Sequence, residues 1–167
     1  MTLWLVGMMG SGKSTAGRKV AEALGLPFHD TDEEIESALG LSPAEIWEEL
    51  GEPAFRDLES RVIRDLAGRD AVVSTGGGVV IDLDNRHLMK SSGTVVWLRC
   101  SPEELTRRMG GVTGRPLLDG PDDPAAALTA ILAERHDDYA LVADHEIDTS
   151  DLTEDQTAER IEALWRS

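Results

Sequence analysis

The stretch Gly7 to Thr15 reads GMMGSGKST and satisfies G-x-x-x-x-G-K-[ST], with Gly7, Gly12, Lys13 and Ser14 in the required places. Residue types at this spacing hold the phosphates of a nucleoside triphosphate. Glycines let the backbone turn so that successive N–H groups face inward, the start of the following helix adds partial positive charge, and Lys13 reaches the outer phosphates. The expected binding set is Gly10, Ser11, Gly12, Lys13, Ser14 and Thr15, with the Ser14 hydroxyl offered to magnesium. Met8 and Met9 read as packing or spacer residues. Switches and motors carry such a loop too, so the acceptor must be identified from other residues.

His29-Asp30-Thr31-Asp32 follows a strand-like stretch and precedes Glu33, Glu34 and Ile35, which start a helical pattern. An Asp at this point is a good helix N-cap. Two carboxylates beside a phosphate loop have a second reading. In an extended stretch positions i and i+2 share a side, which lets Asp30 face the metal shell while Asp32 reaches an acceptor hydroxyl as base or orienter. The run Ala71 to Thr75 lacks the terminal Asp that many such proteins use for magnesium, and Asp30, acting through water, is the candidate to replace it. Gly76-Gly77-Gly78 comes next. Either it exposes N–H groups to an anion at the carboxyl edge of a sheet, or it is a tight strand-to-helix turn. Arg56 and Arg135 lie on helical patterns and, taken singly, read as solvated or ion-paired surface residues. Arg115, between Gly114 and Pro116, sits in a loop suited to closing over phosphates, where a cation stabilises a transferring phosphoryl group.

These residues need a scaffold that gathers strand ends. Leu3 to Val6, a run ending near Asp30, Ala71 to Thr75, Thr94 to Leu98 and, more weakly, His145 to Asp148 read as strands. Ser14 to Leu24, Pro53 to Leu66, Pro102 to Met109, Pro124 to Leu141 and Thr153 to Trp165 read as helices. The alternation predicts an α/β fold of three layers, a five-stranded parallel sheet with helices on both faces. Two regions break it. Thr31 to Glu59 inserts helical segments and reads as a small substrate-binding subdomain, and Gly110 to Pro124 (GGVTGRPLLDGPDDP) reads as a mobile lid.

The 167 residues suit one domain, residues 1–167, and a composition of 41% hydrophobic and 29% charged residues excludes a disordered tail or a fibrous chain. A single cysteine, Cys100, excludes an internal disulfide and a Cys-rich metal site and points to a reducing compartment. No apolar run is long enough to span a membrane and Thr2 to Val6 is too short for a signal core, so the expected home is the cytoplasm. The four histidines, His29, His87, His136 and His145, show no metal-ligand spacing. A formal charge of −16 argues against a non-specific nucleic-acid or anionic-membrane binder. It leaves room for a small anion. At 4 Å and an effective dielectric of about 20 one arginine attracts a negative charge by about 4 kcal/mol, while an acid about 20 Å away through water repels it by about 0.2 kcal/mol.

In shared order, GMMGSGKST, Asp30-Thr31-Asp32 with Ile35-Glu36, Gly51-Glu52 with Phe55-Arg56 and Glu59, Gly76-Gly77-Gly78, Arg115-Pro116-Leu117-Leu118, and Arg135 with Tyr139 and Ala143 resemble shikimate kinase almost end to end. That family is nucleoside-monophosphate-kinase-like and serves aromatic amino-acid biosynthesis. The resemblance implies transfer of the γ-phosphoryl of ATP to the 3-hydroxyl of shikimate, with magnesium, in a monomer. By the same resemblance Asp32 contacts acceptor hydroxyls, Arg56 and Arg135 hold the acceptor carboxylate, and Gly77 and Gly78 add backbone contacts. Two guanidinium forks and one carboxylate match a small acid bearing hydroxyls. Lys13 and Arg115 take the positions that stabilise the transferring phosphoryl, and Ser14, with Asp30 through water, the metal position. Arg108 takes the position of an adenine-stacking arginine, with Arg107 as the alternative register. Ser150-Asp151 is acidic where the family sometimes carries basic residues around the base.

Two other readings remain open at this point. One is another small-molecule kinase of the same fold, acting on gluconate or a nucleoside monophosphate. The other is a nucleotide-dependent switch without turnover, although no guanine-reading N-K-x-D segment is present.

Overall fold

The structure, a computed structural model, describes residues 1–110 and 123–167. Arg115 and nearly all of the expected lid lie outside the described residues. Five parallel strands, β1 (Thr2–Val6), β2 (Phe28–Asp30), β3 (Val72–Ser74), β4 (Gly93–Arg99) and β5 (His145–Asp148), form one sheet in the order β2-β3-β1-β4-β5.

Strand periodicity explains why both faces are covered. Leu3 and Leu5 of β1, Val72 of β3 and Val96 and Leu98 of β4 point to one side. There they pack on α1 (Lys13–Leu24) and α8 (Glu154–Trp165) through Ala16, Val20, Ala158 and Ile161. The alternate residues, Trp4, Val6, Val73, Val95 and Trp97, point to the other side. They meet α4 (Glu52–Leu66), α5 (Leu83–Ser92), α6 (Pro102–Met109) and α7 (Pro124–Val142) through Ile63, Met89, Leu105 and Tyr139. Each such side chain contributes roughly 1.5–3 kcal/mol by leaving water, so a one-residue slip of β1 would exchange the two sets and is strongly opposed. The outcome is the three-layer α/β/α arrangement of a P-loop nucleotide-binding fold.

The helix α5 was not among the helices read from the sequence. Its pattern, LDNRHLMKSS, is polar, and the local signal is Asp82, whose side chain caps it by accepting from the Asp84 and Asn85 N–H groups. Between β2 and β3 the chain forms α2 (Thr31–Leu39), α3 (Pro43–Leu50) and α4. Ile35, Ile46 and Phe55 from these three helices make a small apolar cluster of their own. No helix among the described residues is long and apolar enough to cross a membrane.

The strand order places β1 where the chain's path across the sheet reverses, and ligands in open α/β sheets bind beyond the carboxyl ends of strands at that point. The register sharpens this. Leu5 pairs with Ser74 and Asp30 pairs with Ser74, so the ends of β1, β3 and β2 lie side by side, each followed by one of the segments singled out for chemistry.

Candidate active site

Those segments line one crevice of about 530 Å³. Its walls hold Gly10, Gly12, Lys13, Ser14 and Thr15 of the phosphate loop, Asp30 and Asp32, Gly76, Gly77 and Gly78, and both Arg56 and Arg135.

On the phosphate side, Gly12 caps α1 in a left-handed conformation, φ 92°, and supplies no side-chain acceptor. The first N–H groups of α1 therefore point into the crevice end unsatisfied by a cap, as an anion site requires. At Gly7, φ 145°, an added Cβ would lie 2.4 Å from the Leu98 carbonyl oxygen, so the loop must pass β4 with no side chain. Lys13 is nearly buried and its Nζ donates to the carbonyls of Gly7 and Met8, both at 2.8 Å, which curls the side chain back over the loop.

The Ser14 hydroxyl donates to Asp30 Oδ2 and lies 3.0 Å from Ser74 Oγ. These are three hard oxygen donors, the kind magnesium takes. Among the described residues no group of three or more His, Cys, Asp or Glu could hold a metal, so phosphate oxygens and water would have to complete the shell here. The donor set fits a magnesium bound together with a nucleotide. Asp30 also performs its other expected task, since Oδ1 accepts from the Asp32 N–H at 3.0 Å and caps α2. Its cap and metal-shell readings are compatible because they use different oxygens.

On the acceptor side, the glycine triplet is what lets the charged groups converge. A Cβ on Gly78 would lie 2.3 Å from Arg56 Nη1, and one on Gly76 would lie 2.8 Å from Glu59 Oε2 and 3.2 Å from Asp32 Oδ1. A Cβ on Gly77 would lie 3.5 Å from Arg135 Nη1. Both arginines, Asp32 and Glu59 thus press on one bare turn. The Gly76 N–H is spent on Thr31 Oγ1 at 2.9 Å, whereas among the described residues no acceptor takes the N–H of Gly77 or Gly78.

Arg56 is not a surface residue. Its Nη1 donates to Glu59 at 3.1 and 3.3 Å, its Nη2 reaches Glu52 at 3.4 Å, and its guanidinium lies 5.6 Å from the Trp47 ring centroid and 5.4 Å from that of Phe55. Arg56 Nε is buried and has no acceptor among the described residues. Arg135 is 6% exposed, on α7 one turn before Tyr139. Burial pushes the Glu59 carboxyl up to about 7 against the pull of Arg56, with Asp32 adding to the rise and Arg135 opposing it. Glu59 was not among the residues assigned a role from sequence. Its three-residue spacing from Arg56 was the available signal, and spacing alone does not distinguish a buried pair from a surface one.

Arg108 and Arg107 separate clearly. Arg107 has a side chain 73% exposed and, among the described residues, pairs with Glu104 alone. Arg108 spans from Glu104 to Thr149 and comes within 3.5 Å of the Ser11 carbonyl oxygen in the phosphate loop. Hydrogen bonds from both arginines hold the Glu104 carboxyl down at about 2. Cys100 is buried behind this corner, and burial raises its thiol.

The family model "Shikimate kinase" matches residues 9–165. A shikimate kinase of Cupriavidus pinatubonensis is 47% identical over 148 residues, covering 88% of this chain and 77% of that protein. Among solved structures, a shikimate kinase from Acinetobacter baumannii in complex with shikimate superposes with a TM-score of 0.91 at 36% identity, covering 99% of this chain and 90% of that one. A gluconokinase from Sinorhizobium meliloti reaches a TM-score of 0.59 at 22% identity over 99% of this chain and 91% of its own, a likeness of fold alone.

Proposed function

The chain belongs to the shikimate kinase family, and from that premise we propose how its own residues phosphorylate shikimate. The enzyme is an ATP:shikimate phosphotransferase of the shikimate pathway, acting on the 3-hydroxyl. The observation that carries the residue assignments is the single crevice in which the phosphate loop, Asp32, the buried Arg135 and the half-buried Arg56 meet.

Arg56 and Arg135 take the shikimate carboxylate. Two fork-shaped donors suit it, and at this close range they outweigh the acidic surface. The Gly77 and Gly78 N–H groups add contacts from the turn between them. With the acid end fixed, the ring presents a hydroxyl to Asp32. Gly10 to Thr15 hold the triphosphate of ATP, Lys13 turns from the Gly7 and Met8 carbonyls to the outer phosphates, and Arg108 borders the base. Ser14, with Asp30 behind it through water, would hold a magnesium ion, which would offset charge on the phosphates. Arg115, outside the described residues, is assigned the second cation toward the transferred group.

In the transfer, the 3-oxygen of shikimate forms a bond to the γ-phosphorus as the bond from that phosphorus to the bridging oxygen of ADP breaks. The hydroxyl proton passes to Asp32. Holding both reactants in one cleft removes the entropy cost of a chance encounter, and the charged side chains stabilise the phosphoryl oxygens in place.

ADP release measured with shikimate, gluconate and nucleoside monophosphates tests the assignment. Turnover with shikimate, and little with the others, is expected. Turnover with gluconate alone, or ATP binding without transfer to any of them, would overturn it.

A further inference from the structure

We propose that the glycine turn which grips the acceptor is held in shape by a brace of two buried hydroxyls, Thr31 Oγ1 from α2 and Tyr139 Oη from α7. The inference rests on the acceptor site assigned above. Thr31 Oγ1 accepts from the Gly76 N–H at 2.9 Å, and Tyr139 Oη donates to the Gly77 carbonyl. Both residues are fully buried.

Three successive glycines have more backbone freedom than any other tripeptide and no side chains with which to anchor themselves. What fixes the direction of their N–H groups is therefore hydrogen bonding to the surroundings. Two further backbone bonds, from the Val79 N–H to the Gly76 carbonyl and from the Ile81 N–H to the Gly78 carbonyl, close it locally but do not tie it to the rest of the site. The two hydroxyls do. Thr31 directly precedes Asp32, and Tyr139 follows Arg135 by one helical turn, so each hydroxyl links the turn to the backbone of an element that carries an acceptor-binding group.

Tyr139 is itself anchored, stacked on Trp97 with ring centroids 5.5 Å apart and planes 21° apart. Burial pushes its hydroxyl up to about 12, so it remains a donor across the range in which the enzyme works. Thr31 lies between Asp30 on the metal side and Asp32 on the acceptor side. The brace acts through the turn and touches neither reacting atom, which makes Thr31 and Tyr139 positioning residues. Its loss should be felt by the acceptor more than by the nucleotide, whose loop is shaped by its own glycines.

The test uses Thr31→Val, Thr31→Ser and Tyr139→Phe in the full chain. Removing one hydrogen bond of this kind is expected to raise the KM for shikimate roughly 10-fold while the KM for ATP stays within about 2-fold. Thr31→Ser restores the hydroxyl and should return the shikimate KM to within about 3-fold of the parent. In parallel, amide hydrogen exchange at Gly76 in the ligand-free protein, which needs no acceptor, should quicken at least about 10-fold in Thr31→Val and recover in Thr31→Ser. If Tyr139→Phe fails to fold, the Thr31 pair decides alone. A parent that ignores shikimate while exchange still responds defeats the assigned acceptor and leaves the brace standing. Unchanged exchange, unchanged shikimate KM in an active enzyme, or equal rises in both KM values would defeat the brace.

Discussion

The Glu59 carboxylate accepts from Arg56 Nη1 at 3.1 and 3.3 Å from a position only 1% exposed, three residues further along the same helix. This pair holds the guanidinium against the backbone of Gly78 before any acceptor arrives. An anion entering the crevice therefore meets a cation already oriented, and meets it beside the Glu59 carboxyl, which burial makes reluctant to ionise.

That reluctance has a consequence for stability. The folded chain binds the Glu59 proton more tightly than the unfolded chain, at about 7 against an ordinary 4.5. Stability from this group is thus greatest at low pH and falls as pH rises from about 4.5 to about 7, by about 3 kcal/mol in all. Denaturant unfolding of the parent and Glu59→Gln at about pH 4.5 and about pH 8 reads the effect. The difference between the two proteins should move in favour of Gln by roughly that amount at the higher pH. A constant difference would show that the folded chain binds the Glu59 proton no more tightly than the unfolded chain.

Gly77 and Gly78 predict opposite tolerances. A Cβ on Gly78 collides with Arg56 at 2.3 Å, whereas one on Gly77 meets its neighbours at 3.5 Å, ordinary contact. Gly78 has φ −94°, so Ala costs no backbone strain there and acts only by displacing the guanidinium. Gly78→Ala should raise the shikimate KM by about 10-fold or more, and Gly77→Ala by far less. Steady-state kinetics on both variants decides this, and equal effects would refute the steric account.

Much of this site was legible in the sequence, and the gaps have physical causes. The phosphate loop was readable because its glycines and Lys13-Ser14 are contiguous and fall between an apolar run and an amphipathic one. Asp30 and Asp32 were singled out by their spacing in an extended stretch, but the extended backbone ends at Asp30 and Asp32 already belongs to α2, and which oxygen caps the helix required coordinates. Arg56 and Glu59 sit in EPAFRDLESR, where acids and bases interleave as on a surface helix, and only packing against α2 and the glycine turn buries them. Arg107 and Arg108 are adjacent in the chain, so sequence offered no way to choose. The end of β5 made the choice by placing Thr149 against Arg108. Thr31 and Tyr139 fall within the segments that carry the family resemblance but received no role of their own, because a hydroxyl becomes a brace only when a distant backbone reaches it.

Asp32→Asn keeps the shape and removes the base. It should lower kcat by about 100-fold or more with the ATP KM little changed. A near-parental rate would remove Asp32 from proton transfer.

Asp30→Asn separates two tasks. Asn caps a helix as well as Asp does, so α2 should persist while the charge behind Ser14 is lost. The magnesium concentration giving half-maximal rate should rise roughly 10-fold with the melting temperature little changed. An unchanged magnesium requirement would confine Asp30 to the capping role.

The central claim is that phosphate loop and acid-binding arginines serve reactants facing each other across one cleft. A crystal structure of the chain with shikimate, ADP and magnesium tests it most directly. The shikimate carboxylate is expected on Arg56 and Arg135, with its 3-hydroxyl against Asp32 and turned toward the nucleotide's outer phosphate. Shikimate bound away from these arginines, or with its 3-hydroxyl turned from the nucleotide, would contradict the account.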